Sequence, residues 1–273
     1  MYGQSAAPPA ASADLAPLAW GRLLLSRIWT FCWVEIAKMR HDRTELYTRA
    51  IQPALWLVIF GETFTAIRAI PTGGRPYLDF MAPGVIAQSA LFVAIFYGIQ
   101  IIWERDAGIL TKLLATPTPA SALIAGKAFG ASVRSLAQAI VVVVLSVVLG
   151  VHMPLDPLNY LVAAVVIVLG AAFFSMLSLT IAGIVLNRDR LMGIGQAITM
   201  PLFFGSNALY PIGVMPGWLQ ALSTVNPLRY EIDALRGLLI GTPSNLGEDF
   251  AVLIFACVAG IATSSRLLRR LSQ

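Results

Sequence analysis

The chain has 273 residues, 58% of them hydrophobic and only 12% charged, with mean hydropathy +0.77 and a net charge of +5. A water-soluble domain carries about 25% charged residues, so this composition excludes an ordinary soluble fold and predicts an integral membrane protein. The surplus of Lys and Arg then marks cytoplasmic loops rather than a nucleic-acid site. Cys32 and Cys257, far apart in apolar surroundings, form neither a disulfide framework nor a metal-ligand spacing.

Residues 1–17 are small, Ala/Pro-rich and lack an apolar core. They read as a disordered cytoplasmic tail rather than a signal peptide. Residues 18–40 are long enough to cross a bilayer, but Arg22, Arg27 and Glu35 interrupt them, and Trp20, Trp29 and Trp33 favour the interface. An amphipathic helix lying in the headgroup plane, with a connector to residue 49, is the better fit. Six apolar stretches follow, each near the ~20 residues that cross a bilayer core. They lie at about 50–69, 80–102, 128–150, 159–185, 191–210 and 249–265, the fifth interrupted by Pro201.

Charge sets the orientation. Segments 17–49, 103–127, 187–190 and 266–273 share one side in a six-span chain and hold fourteen of the nineteen Lys and Arg residues. The opposite segments hold three, Arg75, Arg229 and Arg236. Both termini are therefore expected in the cytoplasm. A seventh span would put the basic stretch 38–49 and the basic C-terminal tail on opposite sides. The longest external connection, 211–248, is semi-apolar and broken by Pro216 and Pro227. It predicts one or two short helices dipping into the outer leaflet before the sixth span, where protein or a watery cavity covers them.

Enzymatic chemistry is not evident. "IAGKAF" (124–129) lacks the Ser or Thr and the upstream Gly of a phosphate-binding loop. His41 and His152 fall on opposite sides of the expected topology, and no zinc-protease or serine-hydrolase motif occurs. Glu62, past the middle of the first span, is the notable intramembrane acid. It fits either a substrate or proton contact or a neutral carboxyl facing a helix partner. Arg134 can snorkel to the cytoplasmic side.

After the second span comes "WERDAGILTKLLATPTP" (103–119), in which Ile109, Leu110, Leu113 and Leu114 share one helical face before Pro117 and Pro119 stop the helix. Periodicity leaves open whether that face receives a partner or lies on a surface. The stretch strongly resembles the cytoplasmic segment of ABC-2 type permeases, the membrane subunits of ATP-driven exporters. Trp103, Glu104, Arg105, Gly108, Leu110, Leu113, Thr116 and Pro117 meet the family pattern. "YPIGVMPGWLQALSTVNPLRYEIDALRGLL" (210–239) resembles the family's external segment through Pro216, Trp218, Asn226, Pro227 and Tyr230, and "MAPGV" (81–85) is a third match. The nearest branch in character is that of daunorubicin-resistance and nodulation-type permeases.

The resemblance implies an all-α ABC-2 transmembrane domain over 50–273, with six transmembrane helices, an N-terminal interfacial helix and a coupling helix carrying Glu104 to Pro117, Leu114 included. It implies no catalytic or metal residue and no cofactor on this chain; ATP and Mg²⁺ would sit on a separate P-loop ATPase subunit. It further implies a second permease chain and residence in a bacterial-type plasma membrane. A substrate path along the first, second and fifth spans would pass Glu62, Gln196, Phe203, Phe204, Ser206 and Asn207, residue types that more often serve as ordinary helix packing. The scarcity of intramembrane charge favours a hydrophobic or amphipathic cargo. An ion-gradient-driven secondary transporter is the alternative, and it would need a titratable constellation beyond Glu62.

Overall fold

The computed structural model describes residues 43–67, 70–108, 120–185 and 187–271, together with positions 26, 29, 30, 33 and 37. Every regular element among them is helical. In chain order these are α1 (Arg43–Leu55), a π-helical turn (Trp56–Gly61), α2 (Glu62–Ile67), α3 (Tyr77–Asp106), α4 (Ala120–Val148), α5 (Pro157–Val185), α6 (Arg188–Phe204), a 3₁₀ turn (Ile212–Val214), α7 (Gly217–Val225), α8 (Pro227–Ile240) and α9 (Leu246–Leu271). The expected N-terminal interfacial helix falls mostly outside the described residues. Its described positions are helical, and Trp29 and Trp33 are exposed one turn apart.

Among the described residues, five stretches are long and apolar enough to cross a membrane: Thr48–Ile67, Tyr77–Asp106, Leu123–Val148, Pro157–Val185 and Leu246–Leu267. They coincide with five of the six expected spans. The stretch expected at 191–210 forms α6, which has 17 residues. That is ~25 Å of helix against a hydrocarbon core of ~30 Å. Asn187 starts α6 by accepting the Arg190 N–H at 3.1 Å. Pro201 lies in its last turn, and the Gly205 N–H closes onto the Pro201 carbonyl at 2.7 Å. The chain then leaves the helix through turns and bends at 205–210, where Ala208 lies against Gly84 and the Tyr77 hydroxyl donates to the Leu209 carbonyl. The first span is also irregular. Pro53 interrupts the ladder of α1, and a π turn follows at Trp56–Gly61. Insertions of this kind re-aim a helix next to a break in its hydrogen bonding.

Helix α3 is apolar around its whole circumference and is buried accordingly, packed against α4, α5, α6 and α8. Helix α5 is the other central element, touching α3, α4, α8 and α9. Close approach rests on small residues, as is usual between membrane helices. A Cβ on Gly84 would lie 2.7 Å from the Ala208 Cα, and one on Gly98 would lie 2.5 Å from the Ser178 Cβ. Buried serines add bonds across helices. Ser135 donates to the Ala90 carbonyl, Ser132 to that of Val168 and Ser178 to that of Ile95. Each such bond contributes about 0.6 kcal/mol.

Candidate functional site

Two places gather the residues that the motifs single out, one at each end of α3. At the Asp106 end, Trp103 is half-exposed on the last turn. The Ala107 and Gly108 N–H groups close that turn onto the carbonyls of Trp103 and Arg105. Gly108 has φ +70°, the left-handed conformation that ends helices and that glycine adopts at least cost. Arg105 reaches the neighbouring Asp106 carboxylate at 2.9 Å.

Glu104 turns inward and forms an ion pair with Lys127, one turn inside the described side chains of α4. Lys127 is 8% exposed, and its ammonium also sits 5.6 Å from the Tyr97 ring centroid. Arg134 faces the same ring at 5.2 Å. The pair ties the end of α3 to the beginning of α4, so the connecting segment leaves from a fixed base. Leu110, Leu113, Leu114, Thr116 and Pro117, the remaining residues of the expected coupling helix, lie outside the described residues.

At the Tyr77 end, α7 and α8 form the two short helices expected within 211–248. The junction residues explain the Asn-Pro-Leu-x-Tyr sequence. Asn226 caps α8 by accepting the Leu228 N–H at 3.1 Å, and its amide donates to the Leu202 carbonyl at 2.7 Å. That carbonyl belongs to the last turn of α6, where no intrahelical donor follows. Pro227 takes the first helical position, where a missing N–H costs nothing. Leu228 is fully buried, and the Tyr230 hydroxyl returns to the Thr224 carbonyl at 2.8 Å. Pro216 precedes α7, and Trp218 on its outer face is 71% exposed.

Behind this junction lies a polar knot that the sequence reading did not assemble. The Arg236 guanidinium stacks 3.9 Å from the Phe80 ring centroid and donates to the carbonyls of Asn207 (2.9 Å) and Phe80 (3.2 Å). Asp233 lies 3.7 Å from it, accepts the Asn207 amide and stands 3.5 Å from Arg229. Burial lowers the Arg236 pKa to about 10, against the opposing effects of Asp233 and Tyr77, so the group stays cationic at neutral pH. One buried cation thus joins α3, the turn after α6 and α8. The Ala-Leu-Arg pattern at 234–236 was the available sequence signal. Glu231, also on α8, is fully buried, and neither carboxyl oxygen has a partner. It packs against Gly170 of α5, where a Cβ would lie 2.1 Å from its Oε2. Burial raises its pKa well above the ordinary carboxyl range.

The expected substrate-path residues separate into two groups. Phe203, Ser206 and Asn207 are buried. Ser206 donates to the Phe203 carbonyl, and Asn207 belongs to the Arg236 knot. Glu62, Gln196 and Phe204 lie on the outer surface of the chain. Trp56 of the π turn contacts Phe203 edge-on at 5.5 Å, which brings the first span against α6.

A family model described as ABC-2 type transporter matches residues 26–240. The chain belongs to the ABC-2 type transporter family. It is similar to the transport permease ycf38 of Porphyra purpurea, with 30% identity over 235 residues covering 80% of each chain. It is also similar to the inner membrane transport permease YadH of Escherichia coli K12, with 26% identity over 254 residues covering 87% of this chain and 96% of that one. A third relative is the daunorubicin resistance ABC transporter permease protein DrrB1 of Streptomyces coeruleorubidus, 25% identical over 218 residues and covering 80% and 76%. The match spans both ends of α3, so the Glu104–Lys127 base and the α7–α8 junction both lie within the ABC-2 region. This ABC-2 chain is a multi-pass membrane protein of the transport-permease kind.

Proposed function

We propose that this chain is the permease subunit of an ATP-driven exporter. It moves a hydrophobic or amphipathic substrate (a drug, a lipid or a lipid-linked or polyketide-type molecule) out of the cytoplasm or inner leaflet of a bacterial-type plasma membrane. Six membrane crossings, with α6 as the short fifth, put both termini in the cytoplasm, the Asp106 end of α3 facing that side. A separate P-loop ATPase holds ATP and Mg²⁺, and no cofactor resides on this chain.

The observation that carries this reading is the Glu104–Lys127 pair at the base of segment 103–127. A helix that transmits closure of an ATPase must be anchored to the spans it moves, because a ligand shifts a conformational equilibrium only through contacts that differ between the two states. The ion pair links α3 and α4 directly to the motif-bearing segment. Glu62 and Gln196, polar groups on the outer surface of the chain, support a protein-facing or water-facing path between two permease chains. Carboxylates facing lipid are costly.

Co-purification from native membranes in mild detergent, followed by mass spectrometry, tests the reading. A P-loop ATPase at equal stoichiometry is expected. Glu104→Ala and Leu113→Asp should each weaken that association, or uncouple ATP hydrolysis from transport, while leaving membrane insertion intact. Retained transport driven by a pH or Na⁺ gradient, with no ATPase bound, would overturn the proposal in favour of a secondary transporter.

A further inference from the structure

A cavity of about 250 Å³ lies between α1, α3 and α4. Three glutamines line it, one from each helix: Gln52, Gln88 and Gln138. The two inner ones are almost wholly buried, Gln88 at 2% and Gln138 at 1% exposure. Neither amide atom of Gln138 has a hydrogen-bond partner, nor does the Gln88 nitrogen. Buried polar groups in proteins are nearly always paired, so three orphaned amide atoms around one space ask for an explanation.

Their depth makes the observation stronger. Gln88 is eleven residues from the Tyr77 end of α3, and Gln138 is ten residues from the Val148 end of α4. At 1.5 Å per residue both lie ~15–17 Å from those ends, well inside their helices. Unsatisfied amides there are costly, and an apolar side chain of equal volume would fill the same place without that cost. The cavity wall also carries Ser89, whose hydroxyl is already committed to the Ile86 carbonyl, and the stacked rings of Phe92 and Phe96, 6.3 Å apart. Thr48, Arg49 and Gln52 of the peripheral first span form the mouth, Thr48 and Gln52 exposed, so the charge among the described lining residues stands at the rim and the wall beyond it, on α3 and α4, is uncharged.

We infer that this cavity binds the uncharged, hydroxyl- or carbonyl-bearing head of an amphipathic molecule. The orphaned amides supply two donors on Gln88 and both donor and acceptor capacity on Gln138, which match a neutral polyol, glycoside or ketone. The flat faces of Phe92 and Phe96 suit a sugar or aromatic ring. Drug-sized ligands occupy about 300–1,000 Å³, so this space takes a head and leaves the tail in the bilayer by way of the mouth at Thr48 and Gln52. The inference rests on the exporter reading only for the role of the occupant, as cargo on its way out. The binding site itself requires no ATPase.

Tritiated octyl β-glucoside, below its micelle concentration, is the probe for the full-length chain in phosphatidylcholine nanodiscs. Saturable binding at one site per chain is expected. Gln138→Met and Gln88→Met should each weaken it about tenfold, the loss of roughly one well-made hydrogen bond, without lowering the unfolding temperature. Val93→Phe, which fills the cavity from α3, should abolish binding. Competition by monoglucosyl diacylglycerol placed in the disc would identify the occupant as a bilayer lipid, and its absence a free amphipath; either result keeps the site. No saturable binding, or equal binding by the wild type and both Met variants, would overturn the inference and leave a hydrated gap. Because the permease is tested alone, a failure here is distinct from a failure to recover an ATPase.

Discussion

Glu231 has no cation, hydroxyl or backbone N–H within bonding distance, and its carboxyl lies against the bare backbone of Gly170. Burial therefore decides its protonation state, favouring the neutral acid. The folded state holds its proton to a higher pH than the unfolded chain does, so unfolding releases a proton across the interval between the two pKa values. Stability contributed by this position is complete below the ordinary carboxyl range and declines as pH rises toward the raised value. Glu231→Gln removes the titration and keeps the shape. Wild type and variant should unfold at similar temperatures near pH 4.5, and the variant should be the more stable at pH 8. About 1 kcal/mol corresponds to roughly 2–4 °C for a chain of this size class. A difference that does not change with pH would mean that Glu231 is ionised or hydrated in the folded chain.

At the scale of elements, the α6–α7–α8 corner depends on one side chain. Asn226 caps α8 and satisfies the last turn of α6 in the same geometry. Asn226→Ala removes both bonds and leaves the half-buried Leu202 carbonyl and the buried Leu228 N–H unpaired. A loss of about 2–3 kcal/mol is expected, combining a lost cap with an orphaned polar group. Asn226→Ser restores the cap but is too short to reach Leu202, so it should recover part of the loss in a thermal-unfolding assay. Equal stability of all three proteins would show that the corner is held elsewhere, with Arg236 the first candidate. The existence of this corner was legible in the sequence, because Asn-Pro is a recognisable helix start and Pro216 another. Its tertiary half was not legible. That Asn226 reaches back to Leu202, and that Glu104 meets Lys127 across 23 residues, depends on how helices pack. Chain-local patterns carry no record of such pairs. The membrane helices were readable from length and apolarity, whereas the early end of α6 is a matter of a single Pro and the turn that follows. Gln88 and Gln138 escaped notice for a related reason. Isolated glutamines in a span look the same in sequence whether they bond a neighbouring helix or line a cavity.

Across the whole molecule, the apolar surface is unevenly used. In the first span 17% of the most apolar window is buried within the chain, against 83% in α3. Helix α9 is also largely uncovered, at 22%, and the middle of its outer face is apolar, with Ile254, Phe255, Val258 and Ile261 exposed. Lipid suffices to cover such a face. The first span and α6 differ, because Glu62 is exposed on the first span one turn from Val58 and Ile59, and Gln196 is exposed on α6. A carboxylate turned toward hydrocarbon is strongly disfavoured, and the cost falls when a protein or aqueous surface faces it instead. The proposed second permease chain should therefore cover this face of the first span and leave α9 to lipid. Single cysteines at Ile59 and Phe255, in a background with Cys32 and Cys257 replaced by Ser and Ala, distinguish the two faces. In native membranes, oxidation should yield a cross-linked dimer from Ile59→Cys and none from Phe255→Cys. The reverse pattern would assign the interface to α9 and require Glu62 to be hydrated from the nearer membrane surface. Cross-linking of neither, with the chain intact in the membrane, would point to a partner of different sequence on the first span, since a heterodimer brings no second copy of the cysteine to that face.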